Sequence, residues 1–285
     1  MKLKQLHLQN YCGYRDTTYD FNTPQGVKPL VVFHGPNGCG KSTALQAIRS
    51  LACPWQYVGR KNDMLFRKIT YHDDYDPTYA KFQTSPHPMR ISGIFTEEGK
   101  DYEVVISSDG VEKNDLPRDR QFEYALWIDA DHPMEMIRFQ TDQEVMEQFL
   151  DMAHTVYGYP SSLKNEVEEY DSERQKYVTF LTDFIITKMS KMTREETRVH
   201  FKNMSAGEKK IATLIRMLCN PTNQNRYSIY LIDNCMMHIH WERHIRTVEK
   251  LQYSFPQKQF IMTTHSGTLI KALESSCTYD IRDYT

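Results

Sequence analysis

Residues 35–42 read GPNGCGKS, and this segment constrains the fold more than any other part of the chain. It follows an apolar run at 30–33. It precedes apolar residues spaced as on one face of a helix, at Ala44, Ala47, Ile48 and Leu51. A phosphate-binding loop needs a strand before it and a helix after it, and the sequence supplies both. We therefore predict an α/β fold of the P-loop NTPase type.

The residue types of this loop suit the binding of phosphate groups. Its glycines let successive N–H groups converge on phosphate oxygens, and the helix N-terminus adds partial positive charge. Lys41 is expected to reach the β- and γ-phosphates, while Ser42 is placed to ligate Mg²⁺. The predicted nucleotide contacts are Gly35, Pro36, Asn37, Gly38, Cys39, Gly40, Lys41, Ser42 and Thr43. The sequence thus predicts a nucleoside triphosphate with Mg²⁺.

Composition narrows the class of protein. With 285 residues and 40% hydrophobic content, the chain can bury a substantial core. A net charge of −2 argues against a strongly basic nucleic-acid binder, so any nucleic-acid contact must be regional. The six cysteines include no C-x-x-C pair, which argues against a disulfide framework and a structural zinc site. No apolar stretch approaches the ~20 residues that span a bilayer, so we expect a cytoplasmic protein without membrane contact.

The organisation along the chain favours one domain, 1–285, with two lobes. Residues 1–140 and 201–285 are expected to form the nucleotide-binding core, with a strand–turn–strand at 1–21 and a hairpin at 89–107. Residues 54–87 are expected to be mostly loop and short strands. Residues 141–200 are predicted to be a mainly helical insertion, interrupted at 157–160. Its basic arm at 188–202 indicates either solvated helix faces or a surface for nucleic acid or a partner.

Three further motifs follow the insertion. MSAGEKK at 204–210 begins a helix, in which Ser205-x-x-Glu208 predicts a capping box. Alternatively, Ser205 and Gly207 present a hydroxyl and bare backbone at a helix N-terminus to an anion. A short apolar strand at 229–232 ends in Asp233, and a third strand at 260–264 is followed by His265. Acidic and basic groups are thus expected at the carboxyl edge of a parallel sheet.

Taken in order, NYCGYRD, GPNGCGKS, MSAGEKK, IYLIDN, HIH and TTHS resemble soluble ABC-type ATPases of the RecF, SMC and OLD-nuclease group. MSAGEK is similar to the LSGGE signature, with Ala206 in place of the first glycine. The resemblance implies an ABC-ATPase head with a mixed sheet, an antiparallel β-subdomain and a helical insertion. It also implies ATP and Mg²⁺ as cofactors.

The resemblance assigns roles to individual residues. Ser205 and Gly207 would close on the γ-phosphate of ATP held by the loop of a partner subunit. Asp233 would be the Walker B aspartate that holds Mg²⁺ together with Ser42. His265 would be the switch histidine that donates a hydrogen bond to the γ-phosphate. These are expectations from the family, not from spacing.

Three features depart from the family pattern or leave alternatives open: a glutamine, Asn234 and a group of histidines. The family places a glutamine on Mg²⁺ before the insertion; Gln140 is the best candidate and Gln143 the fallback. Asn234 stands where the family has the glutamate that deprotonates water, so hydrolysis is expected to be slow, by about 10²- to 10⁴-fold. His238, His240 and His244 could instead share a metal ion, although HIH also matches a segment of the family.

The resemblance implies a homodimer that sandwiches ATP, with a higher oligomer as an alternative. The chain ends soon after His265, so we expect no appended nuclease and an effector protein, a nuclease or a toxin, acting in trans. DNA repair or antiphage defence is the expected setting. The alternatives are the nucleotide-binding subunit of a membrane transporter and a RecF-like repair ATPase that binds DNA directly.

Overall fold

The computed structural model describes residues 1–54, 89–117, 124–128, 139–140, 142–171, 175–190, 192–235, 239–273 and 277–281. The expectation of loops and short strands at 54–87 lies outside these residues, apart from its first position. The chain forms two compact units. The first contains Met1–Trp127, Arg226–Asn234 and Phe255–Thr285, and the second contains Ile128–Asn225 and Cys235–Ser254.

An antiparallel sheet occupies much of the first unit. Its strands are β1 (Lys2–Tyr11), β2 (Tyr14–Asp20), β6 (Arg90–Glu97), β7 (Lys100–Ser107) and β8 (Gly110–Asn114). They pair in the order β2-β1-β6-β7-β8, and β3 (Asn22–Thr23) pairs with β4 (Gly26–Val27) in a separate ribbon. Glu98 and Gly99 have positive φ angles of 52° and 80°, as a tight hairpin turn requires. The two predicted hairpins are confirmed.

A parallel sheet forms the rest of the first unit. Its strands are β5 (Leu30–His34), β9 (Ala125–Ile128), β14 (Ile229–Ile232), β15 (Gln259–Thr264) and β16 (Thr278–Asp280). They lie in the order β16-β5-β15-β14-β9. The pairs β5–β15, β14–β15 and β5–β16 are parallel. Strands β14 and β15 are buried along their whole length, which explains their continuous apolar sequence.

Helix α1 (Lys41–Ala52) and a buried glutamine connect the two sheets of the first unit. The helix contacts strands of both sheets, and its apolar face, including Ile48 and Leu51, is fully buried. The side chain of Gln259 on β15 accepts from Leu3 N (2.7 Å) and donates to Leu3 O (2.9 Å) on β1. Because both of its polar ends are paired, this fully buried amide holds the sheets together at little desolvation cost.

The second unit combines helices with an antiparallel sheet. Its helices are α2 (Gln143–Tyr157), α3 (Ala206–Cys219), α4 (Pro221–Arg226) and α5 (His244–Ser254). Its strands are β10 (Phe139–Gln140), β11 (Ser161–Asp171), β12 (Lys176–Met189) and β13 (Glu196–His200). The long strand β12 pairs antiparallel with each of the other three. Helix α2 contacts α3, α5 and β11.

The predicted helical insertion at 141–200 is right only for its first part. Helix α2 ends at the expected break, with Gly158 at its C-terminus in the left-handed region (φ 68°). The later part contains strands β11 (Ser161–Asp171), β12 (Lys176–Met189) and β13 (Glu196–His200) where helix was predicted. The glutamates and lysines of this region favour helix, but residues 177–187 read YVTFLTDFIIT, a run dominated by β-branched and aromatic residues. Strand pairing prevailed over the average composition.

Two expectations from composition concern cysteines and membranes. All six cysteines are free, in agreement with the expected lack of a disulfide framework. Among the residues described, no helix has the length and apolar character needed to cross a bilayer. One further short α-helix, α6 (Gly267–Ala272), follows strand β15.

Candidate functional site

The phosphate-binding loop lies where the sequence places it, between β5 and α1. Its glycines adopt conformations that residues with a side chain rarely reach: φ is 145° at Gly35, 79° at Gly38 and 101° at Gly40. Gly40 is the N-cap of α1, so the loop ends at a helix N-terminus of a 12-residue helix. The backbone therefore has the shape that this class of loop needs to direct N–H groups at phosphate oxygens.

Lys41 has its ammonium group inside the loop. The residue is only 6% exposed, and Nζ donates to the backbone oxygens of Pro36 (2.7 Å) and Gly35 (3.1 Å). The Sγ atom of Cys39 lies 3.8 Å from the same nitrogen. These acceptors are neutral, so they do not balance the charge of the buried ammonium group. An anion bound beside it would balance that charge, and the position therefore fits the phosphates of a nucleotide.

The strands of the parallel sheet bring the other predicted residues of this unit to the same edge. Strand β15 lies between β5 and β14, with Thr264 beside His34 and Met262 beside Ile232. The residues that follow the three strands are Gly35, Asp233 and His265. Because the carboxyl ends of parallel strands share one edge, the loop, the acid and the imidazole converge there.

Asp233 is held by a residue that the sequence analysis did not assign. The hydroxyl of Thr263 donates to Asp233 Oδ1 and accepts from Asn234 N at 2.8 Å. Thr263 is fully buried on β15, so its hydroxyl fixes the turn after β14 from the neighbouring strand. Asn234 has φ 50°, in the left-handed region that asparagine tolerates better than most residues. The TTHS motif contains Thr263, but residue spacing alone does not reveal this contact.

The pKa of His265 is shifted by the charges of the same site. Partial burial lowers the pKa of its imidazole, and the positive charge of Lys41 lowers it further. The carboxylate of Asp233 and a hydrogen bond with the Gly35 backbone oppose this pKa shift without cancelling it. The lowered pKa favours the neutral imidazole at pH 7, whose single N–H donates to the Gly35 backbone. A cavity of about 370 Å³ adjoins it, lined by His34, Gly35, Pro36, His265, Gly267, Ile270 and Lys271.

Ser205 and Gly207 lie in the second unit, at the N-terminus of α3. Ser205 Oγ accepts from Glu208 N (3.3 Å), and Glu208 Oε2 accepts from Ser205 N (2.9 Å), which completes the predicted capping box. Burial raises the pKa of Glu208, but an ion pair with Lys188 (2.6 Å) and the bonds from Ser205 lower it more, so its net pKa is reduced. Ser205 itself is exposed. The signature thus caps a helix and faces solvent.

Comparison with known proteins settles the family. A family model described as an AAA domain matches residues 5–152, which is more than half of the chain. The chain belongs to this AAA domain family. The match includes the whole phosphate-binding loop, and the predicted resemblance to ABC-type ATPases of the RecF, SMC and OLD-like group is confirmed.

Three relatives of this AAA domain protein show how far the similarity extends. The "Retron Vc95 probable ATPase" of Vibrio cholerae is 30% identical over 39% of the chain and 26% of that relative. The "DNA replication and repair protein RecF" of Lactococcus lactis is 28% identical, over 63% and 46% respectively. The "Septu protein PtuA" of Bacillus mycoides is 24% identical, over 95% and 39%. The chain therefore spans less than half the length of each relative.

Solved structures support the fold of the AAA domain protein over nearly its whole length. The SMC head domain from Thermotoga maritima has a TM-score of 0.56 at 16% identity, covering 98% of this chain and 94% of that one. An SMC head bound to the C-terminal winged-helix domain of ScpA has a TM-score of 0.59 at 14% identity, covering 95% and 91%. The predicted fold class, an ABC-ATPase head, is confirmed.

The donor set of this AAA domain protein fits Mg²⁺ and a triphosphate. Magnesium prefers oxygen ligands, and the Ser42 hydroxyl and the Asp233 carboxylate belong to the same edge of the first unit. When bound, Mg²⁺ supplies charge neutralisation at the phosphates. Gln140 lies on the short strand β10 of the second unit, paired with Phe180, and was not expected in a strand. The fallback, Gln143, begins α2 and donates to Glu147 (2.9 Å) on its own helix.

The alternative metal site of histidines gains no support from the described residues. His244 is buried, and its Nε2 bonds Ile239 O at 2.8 Å, whereas the exposed His240 faces Glu242 (3.6 Å). His238 lies outside the described residues. Within the described part of the chain, no three His, Cys, Asp or Glu residues cluster as metal ligands. His240 and His244 thus serve local structure.

Proposed function

We propose that this AAA domain ATPase binds ATP with Mg²⁺ and acts as an ATP-dependent dimerisation switch that controls a partner effector. One observation carries the proposal: at the carboxyl edge of the parallel sheet, the buried Lys41, the Thr263-held Asp233 and the neutral His265 surround one glycine-rich loop. A cation, a metal-binding carboxylate and a neutral donor are the three groups that a Mg²⁺-bound triphosphate requires.

Each residue has a separate task in the bound state. Lys41 and the loop N–H groups hold the β- and γ-phosphates, and Ser42 with Asp233 holds Mg²⁺. On binding, His265 would transfer its single N–H from the Gly35 backbone oxygen to the γ-phosphate. A diphosphate lacks that acceptor, so His265 would distinguish ATP from ADP.

Hydrolysis should be slow in this proposal. Asn234 stands beside Asp233, and its amide can orient water but cannot accept a proton. Loss of a general base costs about 10²- to 10⁴-fold in rate, so ATP would remain bound for long periods. A long-lived ATP state suits a protein that signals by assembly.

The exposed signature supports dimerisation. Ser205 and Gly207 lie at the N-terminus of a 14-residue helix, where an anion is favoured. The Ser205 hydroxyl, which donates to Glu208 Oε2 (2.9 Å) in the single chain, would turn to the partner's γ-phosphate. In the proposed dimer, each copy contributes Lys41 and Asp233 to one ATP and Ser205 to the other. ATP is then the shared ligand of both subunits.

Mass in solution tests this proposal. We expect light scattering to show a doubled mass for the unmutated chain with ATP and Mg²⁺, and monomer mass without them. Lys41→Ala should remain monomeric with ATP and Mg²⁺. Lys4→Ala is the matched control, because Lys4 forms an ion pair with Asp101 on the β-subdomain surface (2.6 Å), and this variant should dimerise normally. If the mass of the unmutated chain does not change when ATP and Mg²⁺ are added, the proposed switch is refuted.

The proposed setting is antiphage defence or DNA repair, with a nuclease or toxin as the effector in trans. Similarity to the retron ATPase and to Septu protein PtuA supports defence, and similarity to RecF supports repair. The SMC head bound to ScpA is an example of a similar fold that carries a partner protein. An effector from the same genetic locus should bind the ATP state of the chain and not Lys41→Ala.

Direct DNA binding is a second candidate, supported by the similarity to RecF and by basic residues near β13. Lys188 of the basic arm is already paired with Glu208, which leaves Arg194, Arg198 and Lys202 as phosphate contacts among the described residues; Lys191 of the same arm lies outside them. Affinity for duplex DNA should then fall with salt at a log–log slope of about −0.9 per phosphate contacted. Binding that is absent at about 50 mM salt would rule this candidate out.

A further inference from the structure

The tip of the β1–β2 hairpin contacts the last glycine of the phosphate-binding loop. Tyr14 begins β2 and is 2% exposed. Its hydroxyl donates to Gly40 O at 2.9 Å. A Cβ atom added at Gly40 would lie only 3.1 Å from Cε2 and from the hydroxyl oxygen of Tyr14. The ring therefore lies directly against Gly40.

The hydroxyl bond acts on one particular peptide group. Gly40 O and the N–H of Lys41 belong to the same planar unit and point in opposite directions, so fixing the oxygen fixes the N–H. Gly40 O also accepts from Ala44 N (3.0 Å), the bond that begins α1. The Tyr14 hydroxyl and Ala44 N both bond the Gly40 oxygen. The Lys41 N–H, on the opposite side of the peptide, therefore points away from Tyr14 at the N-terminus of α1.

Tyr14 is itself held in place. Its ring meets Tyr19 edge to face, with centroids 6.4 Å apart. Tyr14 pairs with Tyr11 across the hairpin, and Cys12 makes the turn with φ 51°. Burial raises the pKa of Tyr14 well above its usual value, so the hydroxyl keeps its proton and remains a donor at neutral pH.

We propose that Tyr14 is a positioning residue for phosphate binding: its hydroxyl orients the Gly40–Lys41 peptide so that the Lys41 N–H meets a phosphate oxygen. The inference rests on the proposed function, because it assigns a task within the ATP site. It assigns that task to the hydroxyl, whereas the ring serves packing. The antiparallel subdomain thereby contributes to the nucleotide site through the backbone of the loop.

Tyr14→Phe tests the inference, with Tyr124→Phe as the matched control. Both changes remove one buried hydroxyl from the same core. Tyr124 N bonds Ala52 O at the C-terminal end of α1, whereas Tyr14 lies at its N-terminal end. We expect Tyr14→Phe to bind ATP with Mg²⁺ about 3- to 10-fold more weakly, the range of one hydrogen bond, and Tyr124→Phe to bind within about 2-fold of the unmutated chain.

A second readout separates positioning from general destabilisation. Amide hydrogen exchange of the segment 40–44 should be faster in Tyr14→Phe than in Tyr124→Phe. The two variants are compared at denaturant concentrations that give them the same free energy of unfolding. Unchanged ATP affinity in Tyr14→Phe, with an unmutated chain that binds ATP, would overturn the inference and leave the proposed function intact. An unmutated chain that fails to bind ATP would instead refute the proposed function.

Discussion

Replacing Thr263 by valine should weaken Mg²⁺-dependent ATP binding while leaving the shape of the core intact. Valine matches threonine in volume, so no cavity opens in β15. The change removes the hydroxyl that donates to Asp233 Oδ1 and leaves Asn234 N without its 2.8 Å acceptor. The carboxylate loses its fixed orientation, and the turn after β14 loses its support from the neighbouring strand.

The magnitude follows from these two contacts. A hydrogen bond to a charged group contributes about 1.5–3 kcal/mol, so the free energy of unfolding should fall by about 2 kcal/mol. Groups that orient a metal ligand typically affect metal affinity by about 10- to 100-fold. We expect that loss for ATP in the presence of Mg²⁺, and a change of less than about 3-fold without the metal, because Lys41 and the loop are untouched.

Isothermal titration calorimetry of ATP, with Mg²⁺ and with EDTA, measures both values. Thr263→Ser is the matched control, because it keeps the hydroxyl and loses only a methyl group, and its Mg²⁺-dependent affinity should stay close to that of the unmutated chain. Equal affinities for Thr263→Val and the unmutated chain would refute the reasoning. So would an equal loss in Thr263→Ser, which would indicate packing and not hydrogen bonding.

Three further results are expected. Asn234→Glu should raise ATP turnover by up to about 10²-fold, because it supplies a general base. It should also lower the unfolding free energy by about 1 kcal/mol, because glutamate tolerates φ 50° less well than asparagine. Unchanged turnover would mean that the site lacks more than the base. Gly158→Ala should cost about 1 kcal/mol in chemical denaturation, since φ is 68° and a Cβ would lie 1.7 Å from Arg243 Nη2; in an Arg243→Ala background only the backbone part should remain. Since folding lowers the pKa of Glu208, its contribution to stability is present above the usual glutamate range and is lost as pH falls through the lowered pKa; this acid sensitivity should be smaller in Glu208→Gln.

Local signals in the sequence were enough to predict the loop, the hairpins and the capped helix. The GPNGCGKS spacing determines the turn, and Ser205 with Glu208 determines the start of α3, because the decisive contacts lie within a few residues. The insertion was predicted less well. Its glutamates and lysines favour helix on average, whereas the β-branched and aromatic run at 177–187 pairs with β11 and β13. Composition averaged over the whole insertion does not reveal this short strand-forming run.

Contacts between residues distant in sequence could not be predicted. Thr263 reaches Asp233 only because β14 and β15 pair in one particular parallel register. Tyr14 reaches Gly40 only because the hairpin tip packs at the start of α1. Neither alternation nor helical spacing carries information about such registers. The site residues with a sequence motif were therefore found, and the residues that hold them in place were not.

Subunit mixing tests the central claim, that ATP is held between two copies, most directly. Lys41→Ala removes the cation of the loop, and Gly207→Glu places a negative charge at the signature while keeping the Ser205 cap. We predict that each variant alone stays monomeric in light scattering with ATP and Mg²⁺, and that an equal mixture recovers ATP-dependent dimers, since one complete site can form. A mixture that remains monomeric while the unmutated chain dimerises would contradict the account.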